Sequence, residues 1–153
     1  MALVNITNLE LVNNKCSFEA PFEFDITLHV VARLRADIEF RLVYVGSAHS
    51  AAHDQVLEVV QVGPLEVGTS RFVLRAPAPD FRAIPRQDLL GVTVVILTAS
   101  YRGAQFFKAG CYVNNELVEA HRETEHGKIA PGMITRDVLM SKAKISKKSI
   151  SWD

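Results

Sequence analysis

The stretch Phe22-Glu-Phe-Asp-Ile-Thr-Leu-His-Val30 alternates apolar and polar side chains from its first residue to its last. This period of two residues is typical of a β-strand that turns one face to a core and the other to solvent. The same alternation returns between Asp37 and Val45, where the apolar side consists of Ile38, Phe40, Leu42 and Tyr44. The sequence therefore predicts two half-buried strands at the centre of the fold.

Further strands are predicted on either side of this pair, at residues 3–12, 55–62, 71–75, 92–101, 105–114 and 145–152. Turn residues separate them, including Gly63-Pro64 and Arg102-Gly103-Ala104. Short helical segments are predicted at residues 47–54, 85–90 and 131–141. This pattern of many short strands favours an all-β fold, an antiparallel sandwich with short helices in its connecting loops.

Length and composition restrict the class of protein. The chain has 153 residues, 48% of them hydrophobic, which predicts a single domain over residues 1–153 and excludes a disordered chain. Lys plus Arg and Asp plus Glu both total 17, so no net charge attracts nucleic acid or an anionic membrane. Cys16 and Cys111 are too few for a disulfide scaffold, and no signal peptide or membrane span is visible. We therefore expect a protein of the nucleus or cytosol, with no nucleic-acid or membrane partner.

Catalytic motifs are weak in this sequence. His49 and His53 have the spacing of two metal ligands on one helix face, but Ser50 stands where the catalytic zinc motif needs a Glu. The sequence has no nucleophile elbow and no glycine-rich phosphate loop. We expect solvated loop histidines, no metal, no cofactor and no enzymatic activity.

The segment 91–98 is apolar on both of its faces. Val92, Val94 and Ile96 point one way while Val95 and Leu97 point the other, and only one face of a sheet meets the core. A three-residue hairpin loop places Val94 outside, opposite Tyr112, and a two-residue loop reverses the faces. Periodicity leaves both loops open. It also leaves open whether the second apolar face binds a partner or is covered by the chain's own loop or helix.

Several separated motifs resemble the anti-silencing function histone chaperone family, in order and with their mutual spacing: Tyr44-Val-Gly-Ser-Ala, Asp54-Gln-Val-Leu, Val62-Gly-Pro, Gly91-Val-Thr-Val-Val, Tyr101-Arg-Gly and Gly110-Cys-Tyr-Val-Asn-Asn-Glu. The resemblance runs from Met1 to Trp152. It implies an immunoglobulin-like sandwich that is a monomer when free and binds histones H3 and H4 as one heterodimer. It further implies a nuclear chaperone that shuttles with the cytoplasm, blocks H3–H3 tetramerisation and hands histones to deposition factors.

The resemblance also implies which residues contact the histones. The matching positions for the C-terminal helix of H3 are Asp54, Asp88, Val94, Ile96, Lys108 and Tyr112. Those for strand addition by the tail of H4 are Ile6, Ala143 and Ile145. Two positions depart from the family, which usually has Arg at the position of Lys108 and Pro at the position of Ala143. Lys keeps the charge but loses the bidentate fork of Arg.

A third set resembles the family's site for basic hairpin segments of deposition co-chaperones: Asp37, Val60, Val62 and Phe72. Family members carry an acidic cluster before Asp37, whereas this chain has Arg33 and Arg35 there. Two guanidiniums repel a basic ligand, so we expect this site to be weakened or re-tuned.

An alternative from another class is an immunoglobulin-like adhesion module unrelated to chromatin. That class predicts a leader and a tryptophan between two core cysteines. The single tryptophan of this chain, Trp152, instead follows both Cys16 and Cys111.

Overall fold

In the computed structural model, residues 2–125 and 128–152 are described, and two antiparallel sheets pack face to face. The strands are β1 (Val4–Leu11), β2 (Lys15–Ser17), β3 (Phe22–Val30), β4 (Ile38–Val45), β5 (Asp54–Val62), β6 (Gly68–Ala76), β7 (Gly91–Tyr101), β8 (Ala104–Leu117) and β9 (Ile134–Lys147). One sheet has the order β1-β3-β6 and the other β2-β9-β8-β7-β4-β5. The predicted all-β sandwich is confirmed.

The connections contain single 3₁₀ turns, among them Ala51–His53, Phe81–Ala83, Arg86–Asp88, Glu119–His121 and Pro131–Met133. In the part of the chain that the structure covers, no helix has the length and apolar character needed to cross a membrane. Two of these turns lie inside the helical segments predicted over residues 47–54 and 85–90, which are thus shorter than expected.

The inward side chains of β3 and β4 supply the centre of the core. Phe22, Phe24, Ile26, Leu28 and Val30 of β3 are all fully buried, as are Ile38, Phe40, Leu42 and Tyr44 of β4. Each large apolar side chain removed from water contributes about 1.5–3 kcal/mol before the entropy of ordering is subtracted. The alternation of apolar and polar residues in the sequence therefore determines both where β3 and β4 form and which of their side chains enter the core.

The helix predicted over residues 131–141 is wrong. A single turn ends at Met133, and the chain continues as β9. Ile134 and Val138 are four residues apart, a spacing that fits a helix, yet both point into the core with Arg136 between them. Because Arg136 occupies an inward position between Ile134 and Val138, the sequence does not show the regular apolar alternation that is typical of a strand.

The strand predicted over residues 145–152 is also misplaced. The sheet ends at Lys147, and the following residues cross the end of the sandwich. The ring of Trp152 packs 5.2 Å from that of Tyr101 and 4.8 Å from that of Phe106. The last residues of the described chain thus cover an edge of the core instead of extending β9.

The hairpin between β7 and β8 resolves the two alternatives for its register. Its turn has two residues, Arg102 and Gly103, both with positive φ (52° and 80°), which the two-residue turns of twisted hairpins require. A bulge at Phe106 then shifts the pairing by one residue. As a result Val95 lies opposite Cys111 in the core and Val94 lies opposite Tyr112 outside, the arrangement expected of the longer loop.

Arg136 is a fully buried cation that holds the connection between β2 and β3. Its Nη1 donates to the carbonyl oxygens of Phe18 (3.3 Å) and Ala20 (2.8 Å), and its Nη2 donates to that of Pro21 (3.2 Å). The guanidinium also lies 3.7 Å from the ring centroid of Phe22. Burial lowers the pKa of Arg136. These contacts replace hydration with backbone dipoles and an aromatic face.

We predict that Arg136→Lys destabilises the fold by about 2–4 kcal/mol, because a single ammonium reaches fewer of these carbonyls and stacks poorly on Phe22. The measurement is urea unfolding, with Arg41→Lys on the exposed surface as the matched control. A midpoint for the Arg136 variant equal to that of the control would show that the buried guanidinium does not hold this connection.

Candidate functional site

The outer side of the six-stranded sheet is apolar across four neighbouring strands. We call this surface the apolar face; its residues are Val43 and Val45 on β4, Val56 and Val59 on β5, Val92, Val94 and Ile96 on β7, and Tyr112 on β8. Val92 is 63% exposed and Val56 54%. The segments that the structure describes therefore leave this face open to solvent. A contiguous apolar surface on a folded domain is typical of a binding site.

Val94 lies at the centre of the apolar face. It pairs with Tyr112, while its neighbour Ile96 pairs with Gly110. A Cβ atom at Gly110 would lie 3.8 Å from Cγ1 of Val94, so the missing side chain leaves a shallow depression beside Val94. The ring of Tyr112 faces outward, and the Nζ of Lys144 lies 5.8 Å from the centroid of that ring. Half-buried apolar side chains around a depression suit a protruding apolar group of a partner.

Two carboxylates lie at the border of this face. Asp54 begins β5, pairs with Val45 and is exposed. Asp88 ends the turn Arg86–Asp88 just before β7, and its Oδ2 is buried without a hydrogen-bond partner among the described residues. Lys108 is exposed on β8 opposite Thr98. The border thus carries two carboxylates and one cation around an apolar centre, the usual anatomy of a protein interface.

A second candidate surface lies where the edge strands β5 and β6 of the two sheets come together, and we call it the β5–β6 groove. Val60 and Val62 of β5 and Phe72 of β6 are half-buried there, and the Phe72 ring packs 5.2 Å from that of Phe40. Asp37 lies at the end of this groove, where its Oδ1 would be 3.6 Å from a Cβ at Gly63. The structure therefore brings together the residues predicted for co-chaperones.

Arg33 and Arg35 are both exposed beside that groove. Leu34 between them is 3% exposed and fixes the loop to the core, so its two neighbours project outward. The backbone N–H of Arg35 donates to the hydroxyl of Tyr101 at 3.1 Å. The two cations are thus held at the border of the groove.

A third candidate is the outer edge of β9. Strand β2 pairs only with Thr135, Arg136 and Asp137, and the N–H of Val138 donates to the carbonyl of Asn14 at 2.7 Å. Residues 139–147 have no partner strand on this edge among the described residues. Ile145 is 54% exposed there and lines a groove with Ile6 of β1. Ala143 lies in a bulge where the β8–β9 pairing jumps from Leu139 to Lys144. Ile6 and Ile145 therefore line one groove, and Ala143 lies near Ile145 on β9.

The histidine pair lies in the connection between β4 and β5, where His53 ends a 3₁₀ turn. Over residues 2–125 and 128–152, no three His, Cys, Asp or Glu side chains are grouped to hold a metal ion. Ser47 and Ser50 serve the local turn, because their hydroxyls accept the backbone N–H groups of His49 and Ala52, both at 3.2 Å. Burial raises the pKa of the Cys111 thiol, which lies beneath the apolar face, to about 11, so this thiol is not an activated nucleophile.

Sequence analysis missed four members of the apolar face: Val43, Val45, Val56 and Val59. The pair on β4 was visible as two outward apolar positions in an otherwise polar row. The pair on β5 was not, because a bulge at Leu57 changes the parity of the strand. Without that bulge Val56 and Val59 would point to opposite sides.

Comparison with known proteins supports one family. Residues 1–153 match the family model described as ASF1 like histone chaperone. The chain is 43% identical to the histone chaperone asf1 of Drosophila melanogaster over 154 residues, covering 100% of this chain and 71% of that protein. It is 42% identical to asf1b of Xenopus tropicalis, with 100% and 77% covered, and 39% identical to ASF1 of Saccharomyces cerevisiae, with 100% and 55% covered.

Proposed function

The chain belongs to the ASF1-like histone chaperone family, and we propose that its apolar face binds a helix of histone H3 within a single H3–H4 heterodimer. The family is one of chaperones rather than enzymes, as the sequence predicted, and this membership argues against the adhesion module. The observation that carries the proposal is the open apolar face, centred on Val94, which the sandwich does not need for its own core.

The dimensions of the face suit a helix. Four adjacent strands from β5 to β8 span about 14 Å at the usual strand spacing. A helix that crosses them contacts this width with about ten residues, close to three turns. Val56, Val94 and Tyr112 lie on successive parts of that path. The face therefore has room for one amphipathic helix, with the depression at Gly110 beside its centre.

The charged border suits a helix with basic flanks. The exposed Asp54 and the half-buried Asp88 place negative charge at one end of the face. Lys108 offers a donor at the other end, but as a point charge it holds a carboxylate less specifically than an Arg would. The apolar centre supplies most of the binding energy, and these groups set the orientation of the helix.

Binding of this H3 helix to the apolar face predicts a complex of one chain with one H3–H4 dimer. Two H3 molecules pair through the same C-terminal helix, so a chain bound there competes with H3–H3 pairing. The chaperone then holds one H3–H4 dimer, blocks the tetramer and hands the dimer to deposition factors. Its working compartment is the nucleus, with shuttling to the cytoplasm, and the free chain is a monomer.

The tail of H4 adds as a strand to the outer edge of β9. The support is the unpaired backbone of this edge, within the described residues, and the groove between Ile6 and Ile145 beside it. Ala143 gives the bulged segment less rigidity than the Pro usual in the family. A small apolar side chain of the tail fits the groove while main-chain hydrogen bonds supply the affinity.

The groove between β5 and β6 binds a basic hairpin of a deposition co-chaperone, but more weakly than in typical family members. Val60, Val62 and Phe72 offer apolar contacts and Asp37 one acceptor. Arg33 and Arg35 project beside that acceptor and repel a basic ligand. The presence of Arg33 and Arg35 in place of the family's acidic cluster thus predicts a lower affinity of this site for basic hairpins.

Val94→Arg is expected to weaken binding of H3–H4 by about 100-fold, equivalent to about 3 kcal/mol, because it places an unpaired cation at the centre of a desolvated contact with a basic partner. Titration calorimetry measures the loss. The matched control is Val67→Arg, at a 64% exposed valine outside the face. Binding within a few fold of wild type, at an unchanged melting temperature, would place the H3 site elsewhere.

Replacement of Arg33 and Arg35 by Glu is expected to strengthen binding of a basic hairpin peptide by about 1 kcal/mol or more at low salt, since repulsion becomes attraction. The gain shrinks at high salt because exposed charges are screened. Calorimetry at two salt concentrations measures both effects, with Arg86→Glu/Arg122→Glu as a control of equal charge. No gain, or an equal gain in the control, would contradict the assigned role of the two arginines.

A further inference from the structure

A cavity at the end of the sandwich lies apart from the apolar face and from the β5–β6 groove. It opens between the start of β1 and the residues that follow β9, and its volume is about 160 Å³. Its walls come from Val4 and Ile6, from Phe106 and Phe107, and from Ile150 and Trp152. Apolar cavities of about 150 Å³ accept a group as large as benzene. This cavity therefore has room for one large apolar side chain.

The wall of this cavity is pre-formed. Val4, Ile6, Phe106 and Phe107 are each less than 8% exposed, so they belong to the core and stay in place without a ligand. Trp152 forms the opposite wall and is fixed by its packing on Phe106 and Tyr101. The backbone N–H of Lys148 donates to the carbonyl of Phe106 at 2.9 Å, which fixes the chain at the mouth. A pre-formed pocket binds without a large ordering cost.

The mouth of the cavity is basic. Lys147 and Lys148 both line it and both are exposed. Neither forms an ion pair within the part of the chain that the structure describes. Lys142 and Lys144 lie on the same strand and add to the positive charge of this edge. An apolar pocket between unpaired lysines is complementary to an apolar side chain flanked by carboxylates.

We propose that this cavity binds an extended acidic segment of a partner protein, with one large apolar side chain in the pocket and carboxylates on Lys147 and Lys148. The depth of the pocket favours a peptide over nucleic acid, because a phosphate backbone would use the lysines and leave the apolar wall empty. The site does not rest on the histone proposal. It adjoins the H4 groove through Ile6, Phe107 and Lys147, whereas Phe106, Lys148 and Trp152 line the cavity and not that groove.

Trp152 provides a direct readout, because it is the single tryptophan of the sequence and lines the cavity. The probe is a capped synthetic peptide of about ten residues with a central isoleucine between two pairs of glutamates. Its titration into the whole chain is expected to give a saturable change in tryptophan emission. Replacing the isoleucine by glycine, or the glutamates by lysines, is expected to weaken binding by about tenfold or more.

Variants of the chain separate this site from its surroundings. Lys147→Glu/Lys148→Glu is expected to lose binding by about tenfold or more, whereas Arg86→Glu/Arg122→Glu, with the same change of charge at exposed positions outside this edge, leaves it within a few fold. Val94→Arg is expected to leave the emission change intact, so failure here and failure at the histone site are distinguishable. No emission change with the acidic peptide, or a change with a single-stranded oligonucleotide alone, would overturn the proposal.

Discussion

The register between β7 and β8 determines which side chains of the long hairpin enter the core and which remain outside. Arg102 and Gly103 form the turn, and the bulge at Phe106 moves every later pair by one residue. A slip of one residue would exchange the two faces, because side chains alternate along a strand. Val95 and Cys111 would then point outward and Val94 and Tyr112 inward. Both the core and the apolar face therefore depend on this one bulge.

The same bulge links the apolar face to the end of the sandwich. It allows the consecutive residues Phe106 and Phe107 both to be buried, at 6% and 3% exposure. Phe106 then supports Trp152, which closes the end of the core. The two sheets leave edges on both sides of the sandwich, β5 with β6 and β9 with β1, and a groove lies between β9 and β1. A neutral chain thus presents distinct local surfaces, each with its own charge.

Alternation made β3 and β4 predictable, because their inward positions are uniformly apolar. It failed at Arg136, whose inward position carries a charge that backbone carbonyls satisfy only in the folded chain. It failed again at Val56 and Val59, because the bulge at Leu57 has no sequence signal. The residues proposed for histones came from the resemblance rather than from periodicity. The Trp152 cavity was not predictable either, since it requires the last residues to leave β9 and cross the end of the sandwich.

The central claim is that one chain holds one H3–H4 dimer through the apolar face. Light scattering on a gel-filtered mixture of the chain with refolded H3 and H4 measures the mass of the complex directly. The account predicts one copy each of the chain, H3 and H4, with the chain alone eluting as a monomer. An intact histone tetramer bound to one copy of the chain would contradict it, because H3–H3 pairing would then coexist with the bound face.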